Sequence, residues 1–181
     1  MSPKPPSASV CETTELVLPN DTNTLGNLMG GRLLHLMDVC AAIAAQRHSN
    51  RTVVTASVDS VDFRSAIRLG EVVVLRATVN RAFTSSMEVG IDVWAEDNRA
   101  GTRRHCNRAY YTFVAVDGDG RPIPVAPLAP ETDDERARFE AAGRRRELRL
   151  VLAGRLQPEG ADALREALEA VALDPPAGGA A

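Results

Sequence analysis

PNDTNTLGNLMGGRLLHLMDVCAAIAAQRH, residues 19–48, is the stretch whose reading decides the fold. Its first part is a loop, because Asn, Asp, Thr and Gly favour turns and local side-chain capping over regular structure. From Arg32 to about Arg47 the pattern turns helical, and Leu33, Leu34, Leu36, Met37, Val39, Cys40 and the run Ala41 to Ala45 cover nearly the whole circumference. A helix apolar all round has to be wrapped by other elements. Its few polar residues, Arg32, His35 and Asp38, follow one another at i, i+3 spacing and share a flank.

The surroundings supply the wrapping. Glu12 to Leu18 reads as a first strand. Four strand-like runs follow the helix: Thr52 to Phe63, Glu71 to Phe83, Ser85 to Asp97 and Arg103 to Asp117. In the third of these, Met87, Val89, Ile91, Val93 and Ala95 alternate with Glu88, Gly90, Asp92, Trp94 and Glu96, giving one buried and one wetter face. In the first, Val54, Ala56 and Val58 are out of phase with Val61 and Phe63, which predicts a bulge or bend near Asp59 and Ser60. Strand, long helix, then a run of strands favours an α+β layer with a mostly antiparallel sheet over a series of βαβ crossovers. After a Pro-rich connector, Glu131 to about Arg149 reads as a charged helix with acids first and arginines last, as the macrodipole prefers. Ala161 to Leu173 reads as a short amphipathic helix. The first ten residues and the DPPAGGAA end read as disordered or frayed.

With 181 residues and 44% hydrophobic content the chain suits one decorated domain. A net charge of −3 argues against a broad basic surface for nucleic acid. The apolar run Leu33 to Ala45 is too short to cross a bilayer, and no signal peptide is legible behind Lys4. Cys11, Cys40 and Cys106 lack metal or disulfide spacing, so reduced thiols in a cytoplasmic compartment are expected. His35, His48 and His105 are scattered, and no zinc spacing exists among them. Dinucleotide, Walker and GxSxG motifs are absent as well.

Asp38 draws attention because a carboxylate halfway along an apolar helix costs several kcal/mol in desolvation unless it has partners or a task. A structural ion pair with Arg32 would satisfy it equally well. The glycine pair Gly30 and Gly31 opens the helix, where unpaired amides and the positive dipole end can hold an anion or a developing oxyanion, although an ordinary tight turn needs the same residues.

Three segments together carry a resemblance: the opening stretch, VVTASVDSVDF (residues 53–63) and FTSSMEVGIDVW (residues 83–94). They resemble the acyl-CoA thioesterase branch of the hot-dog superfamily, including the YciA-type and cytosolic brain-type acyl-CoA hydrolases, with a match from about Glu12 to Arg146. The resemblance implies a central helix wrapped by a five- or six-stranded antiparallel sheet. It further implies pairing of two such units and a homohexamer of three pairs, with active sites at the pair interface and CoA in the groove as part of the substrate rather than a cofactor. Its catalytic aspartate falls on Asp38 and its catalytic asparagine on Asn23, facing each other from neighbouring subunits. Asp38 would act as general base or, alternatively, as nucleophile through an anhydride; Asn23 would orient water or carbonyl, and the amides near Gly30 and Gly31 would form the oxyanion hole. Composition alone makes Asn23 an Asx-turn residue.

For CoA binding the candidates are Arg64, Ser85, Ser86, Thr55 and Ala56, with Arg68, Arg81, Arg103, Arg104 and Arg108 as further arginines. The two serines serve equally as a hairpin turn. His35, one turn before Asp38, could tune it or be purely structural. The expected organisation is a disordered 1–10, a thioesterase domain at 11–128, a charged helix at 129–149 and an extension at 150–181. A hot-dog hydratase would present a catalytic histidine segment, which is not legible here. A non-catalytic acyl-CoA sensor would not need both Asn23 and Asp38.

Overall fold

The computed structural model describes residues 1–63 and 65–173. Two compact units result, Met1–Glu131 and a second beginning at Thr132. The first contains β1 (Cys11–Leu16), α1 (Gly30–Ser49), β2 (Thr52–Val58), β3 (Val72–Ala82), β4 (Ser86–Asp97) and β5 (Thr102–Val116). All pairings are antiparallel, in the order β1-β3-β4-β5-β2. This is the hot-dog architecture, an α+β arrangement in which a five-stranded antiparallel sheet lies against one long helix.

Cross-strand register fixes which side chains meet α1. The Tyr111 hydroxyl donates to the Leu34 carbonyl of α1, so Tyr111 faces the helix. Its partner Val89, together with the pair Met87 and Phe113 two residues along and the Phe113 partner Thr55, faces it too. Met37, Cys40, Ala41 and Ala44 of α1 pack against this side at 0% exposure, beside Leu75, Met87, Val89 and Ile91. Apolar surface removed from water in this layer stabilises the first unit by about 25 cal/mol per Å².

The helix is not wrapped all round. A sheet with one concave side covers one side of a helix, and Val39 remains 44% exposed. α1 ends at Asn50 in the left-handed region (φ 53°), a conformation asparagine tolerates better than most residues. Lys4 Nζ then donates to the His48 carbonyl at 2.6 Å.

That contact corrects the expectation of a disordered first ten residues. Pro6–Ser9 form a 3₁₀ turn, the buried Ser9 Oγ accepts from the Val79 amide at 2.9 Å, and Lys4 bridges to Leu128. Tertiary hydrogen bonds override the Pro- and Ser-rich composition. β2 also ends at Val58, five residues before the expected limit, and its bulge falls between Thr55 and Ser57 rather than near Asp59. All three cysteines are free and buried, and burial, with Cys11 close by, pushes the Cys40 thiol up to about 12.

The second unit holds α2 (Asp133–Leu152) and α3 (Asp162–Leu173). Thr132 and Glu135 form a reciprocal capping box at the start of α2, which explains why the helix begins there. The helix runs three residues beyond the expected Arg149. The DPPAGGAA end, residues 174–181, lies outside the described residues. Among those residues no helix is long and apolar enough to cross a membrane.

Candidate functional site

Asp38 stands two turns into α1 on the flank that β2 passes, and it is half-buried rather than enclosed. The expected alternative of an Arg32 ion pair is not formed, because Arg32 Nε instead donates to Asp21 Oδ1 at 2.9 Å. Asp38 receives the Thr55 hydroxyl on Oδ1 at 2.8 Å. The β2 bulge accounts for this contact: one extra residue, Ala56, re-aims the strand just where it passes the helix. Asp38 Oδ2 has no described partner, so one carboxylate oxygen is held and the other is available.

The pocket against Asp38 has a volume of about 510 Å³ and is lined by Leu34, His35, Val58, Asp59, Val61, Phe63 and Tyr111 besides Asp38 itself. Its walls are mostly apolar, as expected for a site that binds an apolar group and places a few polar atoms for chemistry. His35 is exposed at the rim. Tyr111 is 1% exposed, and its phenol is pushed up to about 12, by burial first and by the negative charge of Asp38 second. The Tyr111 hydroxyl is therefore neutral at any working pH and can only donate or accept a hydrogen bond. Sequence reading missed Tyr111, Val61 and Phe63 as site residues, because each is an ordinary apolar position until the β5, β2 and α1 register is known.

The glycine pair lies where expected. Gly30 is the first residue of α1, no side chain caps the helix, and Met29 occupies the N-cap. The Phe63 ring sits where a Gly30 Cβ would approach to 3.4 Å, while space beside Gly31 is open. Uncapped amides at a helix start are ready donors to an anionic oxygen.

Asn23 is exposed on the preceding loop and is not among the residues lining the Asp38 pocket. Its Oδ1 accepts from the Leu25 and Asn27 amides at 2.9 and 3.2 Å. The Asx-turn geometry is real, and it also fixes the amide assignment: with Oδ1 engaged by two N–H groups, Nδ2 is left as the donor.

The CoA candidates fare unequally. Arg64 lies outside the described residues. Thr55 belongs to the Asp38 site, and Ala56 is the exposed bulge residue next to it. Ser86 sits on the opposite sheet face from Met87, away from Asp38, and Ser85 lies in the β3–β4 turn with its carbonyl accepting from the Ala115 amide. Arg104 forms a bidentate pair with Glu71 at 2.7 and 2.6 Å and holds that carboxyl below the usual glutamate range. Arg108 pairs with Asp92, and Arg103 pairs with Glu96 while lying over Trp94. Arg81 lies over Phe83, and Arg68 is exposed.

Comparison with known proteins identifies the family. Residues 25–102 match the thioesterase superfamily. The uncharacterized acyl-CoA thioester hydrolase YkhA of Bacillus subtilis is 43% identical over 122 residues, which are 67% of this chain and 71% of that protein. The cytosolic acyl coenzyme A thioester hydrolase of Rattus norvegicus is 34% identical over 88% of this chain, which spans 43% of that longer protein. An apo-hexameric acyl-CoA thioesterase superposes with a TM-score of 0.82 at 39% identity, covering 84% of this chain and 98% of the other. The acyl-CoA hydrolase of Staphylococcus aureus, solved with butyryl coenzyme A, coenzyme A and coenzyme A disulfide, superposes with a TM-score of 0.77 at 35% identity, covering 93% and 98%. That enzyme has also been solved with single alanine substitutions of an asparagine, an aspartate and a threonine, which recur along its chain at the spacing of Asn23, Asp38 and Thr55 here.

Proposed function

The chain belongs to the acyl-CoA thioester hydrolases of the thioesterase superfamily, and from that premise we propose that it hydrolyses fatty acyl-CoA to the free fatty acid and CoA at the Asp38 pocket. One observation carries the reading: Asp38 lines an apolar pocket with one oxygen fixed by Thr55, in a chain where Asn23, Asp38 and Thr55 keep the spacing of the three residues substituted in the Staphylococcus aureus enzyme.

The chemistry follows from the atoms. Water held by Asp38 Oδ2 attacks the thioester carbon while the carboxylate takes its proton, acting as general base. The carbonyl becomes an oxyanion, which amide donors near Gly30 and Gly31 and the Nδ2 of Asn23 stabilise. Collapse breaks the C–S bond, and the proton returns from Asp38 to the departing CoA thiolate. Thr55 keeps the base oriented throughout.

A single chain does not bring these groups together. Eight residues of helix separate Gly30 from Asp38, about 12 Å at 1.5 Å per residue, whereas base and oxyanion donors must both stand about 3 Å from the reacting group. The reading therefore places Asn23 and the glycine amides of one subunit opposite Asp38 of its neighbour. Hexameric relatives support a homo-oligomer, for which a trimer of dimers is the natural assembly. A cytoplasmic location in fatty acid metabolism completes the proposal, with CoA as substrate rather than cofactor and no nucleic-acid or membrane partner. Arg64, Ser85, Ser86 and Ala56 stay as proposed CoA contacts.

Free-thiol release from an acyl-CoA panel tests the proposal. Turnover by the wild type, lost in folded Asn23→Ala, is the expected result; acyl-CoA binding without thiol release would instead indicate a sensor on the same scaffold.

A further inference from the structure

The pocket against Asp38 is walled on one side, and the wall bears on which acyl groups fit. The scissile carbonyl has to stand at Asp38, so the acyl carbons next to it enter the adjoining apolar space between Leu34, Val58, Val61 and Phe63. Tyr111 lines the same space from the sheet side. Its ring is 1% exposed, stacks with Phe113 at 6.3 Å between centroids, and is anchored through its hydroxyl to the Leu34 carbonyl at 3.4 Å. Its cross-strand partner Val89, Met87 opposite Phe113, and Met37 of α1 are fully buried, so the layer between α1 and the sheet is filled with protein side chains. A ring fixed on three sides cannot swing aside without opening a void in that layer.

Resting on the hydrolase reading, we propose that Tyr111 is a specificity-determining residue that ends the acyl pocket and directs the enzyme to short acyl groups. A longer chain meets the ring and has to turn back toward solvent, where its further methylenes gain no burial. Each methylene that is buried in a fitted pocket changes kcat/KM by on the order of tenfold, so the position of one wall is enough to set the preference.

The test measures kcat/KM by CoA release for butyryl-, octanoyl- and palmitoyl-CoA with the intact wild type, Tyr111→Phe, Tyr111→Ala and Val58→Phe. The wild type is expected to favour butyryl-CoA over palmitoyl-CoA by about tenfold or more. Tyr111→Phe keeps the ring and the ranking, whereas Tyr111→Ala opens the layer and narrows the ratio by about tenfold. Val58→Phe adds bulk at a position 43% exposed, where folding tolerates it, and widens the ratio; it decides the matter if Tyr111→Ala does not fold. Palmitoyl-CoA turned over as well as butyryl-CoA by the wild type, or a ranking that none of the variants moves, would overturn the role of Tyr111 while leaving the hydrolase reading intact. No thiol release from any of the three substrates would overturn the hydrolase reading and this inference with it.

Discussion

On the sheet-facing side of α1, Leu33, Met37, Cys40, Ala41 and Ala44 are between 0 and 5% exposed; on the flank reached by Tyr111 and Thr55, Leu34 and Asp38 are half open, and farther round Ala42 is half open and Val39 is 44% exposed. The two sides draw on the same apolar residue types. What separates them is the sheet, which has one concave face and can cover only one side of the helix. Volume and close packing govern the covered side. The open side holds one carboxylate, its Thr55 donor and a pocket, and there orientation matters more than volume.

This division predicts substitutions whose effects separate cleanly. Leu33→Ala on the covered side should cost about 2–5 kcal/mol in urea unfolding, with kcat/KM per folded molecule unchanged; a large loss of turnover by correctly folded protein would break the comparison. Glu71→Gln should cost about 1–3 kcal/mol, because Glu71 is 8% exposed and its partner Arg104 is partly open to solvent screening. The folded Glu71 carboxyl titrates below its ordinary 4.5, so its contribution is present above that value and is lost as pH falls through the depressed one. A variant whose acid unfolding matches the wild type would contradict this.

Thr55→Val keeps the side-chain shape and removes the hydroxyl donor to Asp38. It is expected to lower kcat/KM on the order of tenfold, with stability changed by less than about 0.5 kcal/mol because Thr55 is exposed. The smallest effect concerns His48, which is fully buried with Nε2 at 2.8 Å from the Ala126 carbonyl, and whose pKa burial lowers from 6.5. Above pH 6.5 it is neutral in both states; as pH falls below 6.5 the unfolded chain binds the proton first and stability declines. His48→Gln should flatten this slope by under about 1 kcal/mol, as read from urea midpoints at pH 5.5 and 7.5.

Much of this was legible in the sequence, for reasons that differ by residue. The alternation of Met87 to Ala95 announced β4, and the largely apolar run after Arg32 announced α1, because both depend on local periodicity. Asp38 stood out as a carboxylate in an apolar helix. The role proposed for Asn23 rests on resemblance, since its local signals spell an Asx turn, and the structure contains that turn. The contact between Thr55 and Asp38 depends on where the β2 bulge falls, and Tyr111 becomes a pocket wall only when β5 meets α1. Both are long-range register facts that no short window contains. The ordered N-terminus was hidden for the same reason, because Lys4 and Ser9 find their partners at His48 and Val79.

The most direct test of the open side as the seat of the chemistry is Asp38→Asn, measured for CoA release and for urea midpoint on the same oligomeric preparation. The substitution is nearly isosteric and leaves the Thr55 hydroxyl a carbonyl acceptor. The account predicts a loss of about 10²–10⁴-fold in kcat/KM with the midpoint almost unmoved. Turnover within a few-fold of the wild type in a normally folded variant would contradict it.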